Sequence, residues 1–263
     1  MKRASKFAVS PGWQLLLRDM QLDPVVVLKL AQLPVDLFSR PNAWLTPSEY
    51  FRLFEAVGQI TQDQPLGILL AESLSTEAFD PAVFACLCSR NFAEAVARIS
   101  QYKVLIGPLV LDVQPGSERL LLSLSCYGNR QKIPSALAVT ELAFFTQLVR
   151  LATREAVNPI AITLPELPEH LDAYRAYFGC DLVAGDVLSI AFSTVDAERP
   201  FLTANAAMWD FFELGLNQRL QDLKADASTA DKVRAVLLEA LPSGESSAEF
   251  VAGQLAISKR TLQ

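Results

Sequence analysis

Behind Thr46 the polar and apolar positions fall into helical register: Tyr50, Leu53, Phe54, Val57 and Ile60 recur three and four residues apart, which gathers them on one helix face. Thr46-Pro47-Ser48-Glu49 supplies the start, with a capping threonine, a proline at the first helical position and a glutamate that closes a capping box. Upstream, Trp13 to Met20 predicts a short helix. Pro24 to Leu30 predicts another, capped by Asp23. Asn91 with Glu94 opens a further helix, whose face is Phe92, Val96, Ile99, Tyr102 and Ile106.

The period then changes to two. Leu109, Leu111 and Val113 alternate with Val110, Asp112 and Gln114, and Leu120, Leu122, Leu124 and Cys126 alternate with Leu121, Ser123 and Ser125. Pro115-Gly116-Ser117 lies between them, so the pair predicts a β-hairpin. The short apolar run Val83 to Cys88 predicts a buried strand. Pro134 to Ala156 predicts a long helix with an apolar arc wide enough to pack on more than one side. Strands are expected at 159–163 and 187–192, with helices at 169–178, ended by Gly179, and at 201–223. This order predicts an α+β fold, with a helical N-terminal part and a small, mostly antiparallel sheet packed with helices.

After Leu223 the polar stretch Lys224 to Ala230 marks a boundary between residues 1–223 and 224–263. Val233, Val236, Leu237, Ala240 and Leu241 form one helical stripe, stopped at Pro242-Ser243-Gly244. A second helix is expected from Ser246, boxed with Glu249, and Ser258 is placed to cap a third. The C-terminal part therefore reads as an all-α helix-turn-helix fragment.

Composition narrows the function. With 263 residues, one or two domains are expected, and 51% hydrophobic residues with 15 Phe and 3 Trp exclude a disordered chain. A net charge of −6 argues against non-specific coating of nucleic acid or an anionic membrane. No 18-residue apolar segment and no signal-peptide pattern stand out, so a cytoplasmic protein without a membrane partner is expected. Cys86 and Cys88 are expected on one face of a strand as small buried hydrophobes, without a His cluster to make a metal site. The single His170 leaves no base for a nucleophilic triad, and Gly67 and Gly215 are isolated rather than part of a phosphate loop. The expectation is a protein that is not an enzyme and needs no cofactor. An enzyme with an unrecognised site and a pure oligomerisation module stand as alternatives.

Two constellations are candidates for binding. Tyr102, Ser123, Ser125, Tyr127, Thr140 and Thr146 are polar residues among apolar ones, suited to a ligand pocket. The plain alternatives are a core tyrosine at 102 and a wet hairpin face at the serines. Met208, Trp209, Phe212, Leu216 and Leu220 form a stripe just ahead of the polar boundary, which would serve either a weak homodimer or the protein's own core.

Ser247-Ala-Glu-Phe-Val-Ala252, Leu255 and Ser258-Lys-Arg-Thr-Leu-Gln263 resemble the first helix-turn-helix of AraC/XylS-type transcriptional regulators. Gln62 to Gly67, Asn91 to Val96 before Tyr102, Asn158-Pro159, and Tyr177-Phe178-Gly179 before Cys180 resemble the arabinose-binding-like sensor domain of one subgroup. Pro165 departs from the pattern, which often has His there. The family carries two helix-turn-helix units; here the sequence stops inside the first recognition helix, which is what a shortened regulator would show. The resemblance implies a small-molecule effector bound within residues 1–223. It also implies DNA as a partner of the full-length protein, approached by Ser258, Lys259, Arg260 and Gln263. Effector binding would act by favouring one placement of the DNA readers over another.

Overall fold

Prolines and capping side chains set where the helices begin in the computed structural model, which describes residues 6–10, 12–40, 43–73, 80–127, 132–225, 233, 236–237, 247–255 and 257–259. Helix α1 is Gly12–Asp19 and α2 is Pro24–Leu30, whose first turn is closed by the Asp23 carboxylate accepting from the Val25 amide. Helix α3, Pro47–Ile60, has the full capping box: Thr46 Oγ1 accepts from the Glu49 amide, and the Glu49 carboxylate accepts from the Thr46 amide. Helix α4 is Leu66–Glu72 and α6 is Phe92–Ile106. At α6 only half of the expected box forms. Asn91 accepts from the Glu94 amide, but the Glu94 carboxylate accepts from the Arg90 amide and pairs with that arginine.

A correction falls at residues 83–88. The apolar run is not a strand but helix α5, Pro81–Leu87, capped by Asp80 through the Ala82 amide. Its six apolar residues fit either period, and the Asp-Pro start decides for the helix. Cys86 and Cys88 therefore do not share a strand face, though both are buried. Burial pushes the Cys86 thiol up to about 12, the mark of a packing cysteine rather than a reactive one.

Short strands β1, Phe7–Ala8, and β2, Trp44–Leu45, pair antiparallel near the N-terminus. The main sheet holds five strands: β3, Leu109–Pro115; β4, Arg119–Cys126; β5, Ala161–Leu164; β6, Leu182–Ala184; and β7, Leu188–Ser193. Its order is β3-β4-β7-β5-β6. The hairpin and the β4–β7 and β5–β7 ladders are antiparallel, while β5 and β6, joined through helix α8 (Leu171–Phe178), are parallel. Leu120, Leu122 and Leu124 bury one face of β4, and Phe92 of α6 meets Phe192 of β7 edge-to-face, 4.8 Å between centroids.

Helix α7, Ser135–Thr153, packs on α3, α4 and β7, so its wide apolar arc is used on several sides. It corrects one expectation: by length and composition it could cross a bilayer, but 67% of that stretch is buried inside the fold. A single helical turn α9, Thr194–Ala197, follows β7. Helix α10, Ala206–Ala225, begins five residues later than expected from Phe201 and docks on α5 and α6.

Beyond α10 most of the expected linker and first helix lie outside the described residues, although Val233, Val236 and Leu237 are helical. The next helix is Ala248–Gln254, and its cap is Ser247, whose Oγ accepts from the Phe250 amide, one residue later than the expected Ser246.

Candidate functional site

Lys103 and Glu141 occupy positions that the periodicity of α6 and α7 assigns to apolar side chains. Lys103 follows Ile99 by four residues and Glu141 follows Leu137 by four, and both side chains are almost fully buried, 3% and 9% exposed. They meet there: Lys103 Nζ donates to both Glu141 carboxylate oxygens, at 2.7 and 2.6 Å. The rings of Phe144 and Phe145 each lie 5.9 Å from the ammonium, within cation–π range.

The pair borders a cavity of about 140 Å³. Helix α6 gives it Lys103 and Ile106, and α7 gives Thr140, Glu141 and Phe144. Tyr50 and Phe54 come from α3, Leu70 and Ala71 from α4, and Asp80 and Val83 from the start of α5. The remaining wall is N-terminal, from Ala8 and Ser10 to Trp13 and Leu16. Trp13 is fixed by Phe38, stacked at 6.4 Å, and Phe54, edge-on at 5.2 Å. The result is an apolar chamber with a few convergent polar groups, the usual make-up of a small-molecule site.

Three further groups tune it. Burial, with Glu141 and Asp80 nearby, holds the Tyr50 hydroxyl protonated far above the ordinary tyrosine range. A Cβ at Gly107 would come within 3.0 Å of that hydroxyl, so the glycine makes room for the tyrosine. Asp80 is raised by burial, against the opposing pull of the Ala82 amide and Arg219. Its second oxygen lies 3.6 Å from the Arg219 guanidinium of α10.

Helix α10 is pinned to the outer side of the same two helices. Tyr102 Oη donates to Asn217 Oδ1 at 2.8 Å, the Arg98 guanidinium lies 3.7 Å over the Trp209 ring, and Phe84 meets Phe212 edge-on at 5.6 Å. Helices α5 and α6 thus separate the cavity from α10.

Of the residues the sequence offered for a pocket, Thr140 lines this cavity; its hydroxyl donates to Ala136 O. Tyr102 is buried with its hydroxyl on Asn217, and Thr146 is buried with its hydroxyl on Leu142 O. Ser123 and Ser125 face the open side of the sheet, and Tyr127 stacks edge-on with Phe7. Sequence reasoning missed Trp13, Tyr50, Asp80, Lys103 and Glu141. On α10, Trp209 and Leu216 are buried in the chain's own core, Phe212 and Leu220 are half-buried against it, and Met208 is exposed. The large apolar side chains most open to solvent there are Phe211 and Leu214, one face over.

His170 stands at the start of α8 with positive φ, its Nε2 2.9 Å from Gln62 O. It borders a wide groove with Lys132 and Glu166, whose ion pair is largely solvent-exposed and therefore weak. Among the described residues no cluster of three His, Cys, Asp or Glu side chains could hold a metal ion. Of the residues assigned to DNA, Ser258 and Lys259 follow a tight turn in which the Ile257 amide donates to Ala252 O, and Lys259 pairs with Glu249. Arg260 and Gln263 lie outside the described residues.

Comparison with known proteins gives a consistent picture. Residues 22–201 match the N-terminal arabinose-binding domain of AraC transcription regulators. The HTH-type transcriptional regulator VirS of Mycobacterium tuberculosis is 23% identical over 257 residues, covering 96% of this chain and 75% of VirS. The crystal structure of the transcriptional regulator CdpR from Pseudomonas aeruginosa shares the fold, with a TM-score of 0.55 at 20% identity, over 97% of this chain and 78% of CdpR.

Proposed function

Because this chain belongs to the family defined by the N-terminal arabinose-binding domain of AraC transcription regulators, we propose that it is a ligand-responsive transcription regulator whose effector occupies the cavity between the N-terminal segment and helices α3 to α7. The observation that carries this reading is the buried Lys103–Glu141 pair at the wall of an apolar chamber. Holding two desolvated charges beside a cavity is costly unless their remaining hydrogen-bonding capacity has a use, and a bound ligand supplies one.

The route outward runs through α5 and α6. Asp80, Val83, Lys103 and Ile106 face the cavity, while Phe84, Arg98 and Tyr102 of the same helices hold α10. An effector that shifts α5 against α6 changes the seat of α10, which leads toward residues 224–263. In this reading residues 1–223 sense, and Ser258, Lys259, Arg260 and Gln263 belong to the element that approaches DNA. The Ser247-capped helix, the turn at Ile257 and the name of the helix-turn-helix relative support that assignment. Arg and Lys there suit phosphates and guanine edges.

Native mass spectrometry of freshly isolated protein beside an Ile106→Phe variant, which fills the chamber, tests the site. A small molecule retained by the wild type and lost from the folded variant supports it. If neither protein retains a molecule and no compound of a metabolite collection raises the wild-type melting temperature selectively, the cavity is not an effector site.

A further inference from the structure

Resting on the effector-site reading, the geometry points to the class of molecule that fits: a single-ring, uncharged compound carrying one hydroxyl-type group beside the Lys103–Glu141 pair.

Size sets the ring. A chamber of about 140 Å³ is close to the roughly 150 Å³ apolar cavity that takes up benzene in an engineered protein. One ring fills that volume, and a larger body would reach beyond the walls that carry the Lys103–Glu141 pair. The walls that would receive the ring are themselves rings and branched side chains: Trp13, Phe54, Phe144, Ile106 and Leu70, suited to edge-to-face and offset contacts.

Charge excludes ionised ligands. Among the described residues that line the chamber, the charged side chains are Asp80, Lys103 and Glu141. Lys103 already faces both oxygens of Glu141, so it is neutralised where it stands. A carboxylate or phosphate would add a second negative charge beside an ammonium that Glu141 already neutralises, leaving a net charge desolvated at the wall, which is strongly unfavourable. A cation faces the reverse problem, since Glu141 is satisfied by Lys103 and Asp80 is engaged by the Ala82 amide and Arg219.

Hydrogen bonding selects the head group. An ammonium has three N–H donors, two of which are spent on Glu141. The third is available to a ligand oxygen, and a ligand O–H has the remaining carboxylate lone pairs and the protonated Tyr50 hydroxyl within the same wall. A hydroxyl both accepts and donates, so it matches this pair of partners better than a carbonyl or an unsubstituted ring.

Four probes of similar size separate the terms: benzyl alcohol, toluene, benzoate and benzylammonium, titrated into the full chain by calorimetry and by melting temperature. Benzyl alcohol is expected to bind about fivefold or more tighter than toluene, the effect of one added hydrogen bond, and about tenfold or more tighter than either ion. Ile106→Phe abolishes this binding, and the volume-keeping double variant Lys103→Met/Glu141→Leu loses the preference for the alcohol over toluene. Tightest binding by benzoate or benzylammonium, or equal binding of toluene and benzyl alcohol, overturns the class while the cavity stands as a ligand site. Binding that survives Ile106→Phe places the probes elsewhere and overturns the assignment to this chamber. Failure of all four to bind overturns the class, while the effector site itself stands or falls by the retained-ligand experiment above. The ranking on the wild-type chain decides the question even where the double variant does not fold.

Discussion

Arg219 of α10 holds its guanidinium 3.6 Å from the carboxylate of Asp80, and that carboxylate also forms part of the cavity wall. One side chain therefore serves as helix cap, cavity lining and anchor for α10. Asp80→Asn keeps the cap, because asparagine caps as well as aspartate, but removes the charge. With its folded pKa raised by burial, Asp80 stays protonated in the native state over a range where the unfolded chain has already lost that proton. Stability attributable to it thus falls as pH rises from the ordinary aspartate value through the folded one. Urea unfolding of Asp80→Asn should show a flatter decline than wild type upward from about pH 4, and amide exchange in α10 should rise as Arg219 is released. An unchanged pH profile would contradict the burial argument.

The ion pair in the cavity wall should behave asymmetrically. Lys103→Met alone leaves Glu141 buried without a partner and is expected to cost about 3–5 kcal/mol of stability. Adding Glu141→Leu should return most of that loss, since two apolar side chains of similar volume need no solvation. Denaturant midpoints of the two single variants and the double variant form the cycle that measures it.

Gly67, isolated in the sequence, is where α4 meets α7 backbone to backbone. A Cβ there would sit 2.8 Å from Val139 O, and the Gly67 amide takes the Tyr174 hydroxyl as its partner at 3.0 Å. Gly67→Ala is expected to destabilise by about 1–3 kcal/mol despite alanine's better helix propensity. A melting temperature equal to or above wild type would refute the close approach.

Neighbouring phenylalanines of α10 should respond differently. Phe212 packs on Phe84, whereas Phe211 is 76% exposed. Phe212→Asp buries a charge against α5 and should lower the melting temperature sharply, by several degrees or more. Phe211→Asp should leave it within about a degree of wild type. Equal effects would mean that α10 is seated otherwise than described.

The elements whose ends carry specific chemistry were legible in the sequence: the Thr46–Glu49 box, Asp23 before Pro24, the Pro-Gly turn of the hairpin and the Gly179 stop all reappear in place. Residues 83–88 misled because six apolar positions cannot separate a period of 2 from one of 3.6. Most of the site was missed for another reason. The polar residues set among apolar ones, Tyr102 on α6, Ser123, Ser125 and Tyr127 on or after the hairpin, and Thr140 and Thr146 on α7, contribute only Thr140 to the chamber. The informative signal was a charged residue in apolar register on each of two helices, Lys103 four after Ile99 and Glu141 four after Leu137. That those two meet is a matter of tertiary arrangement, which periodicity within one helix does not encode.

The β1 strand and the turn into α1 have a consequence for how the protein is made. Ala8 and Trp13 line the chamber, but the neighbouring Phe7 rests on Tyr127 and β1 on α6, while Glu141 and Phe144 come later still. These contacts are far apart along the chain, so they are costly to close and form late. A nascent chain emerging from the ribosome has its first wall exposed long before the opposite wall is translated. The chamber therefore comes into being only after α7 has been synthesised, with its two walls joined once both exist rather than built one upon the other.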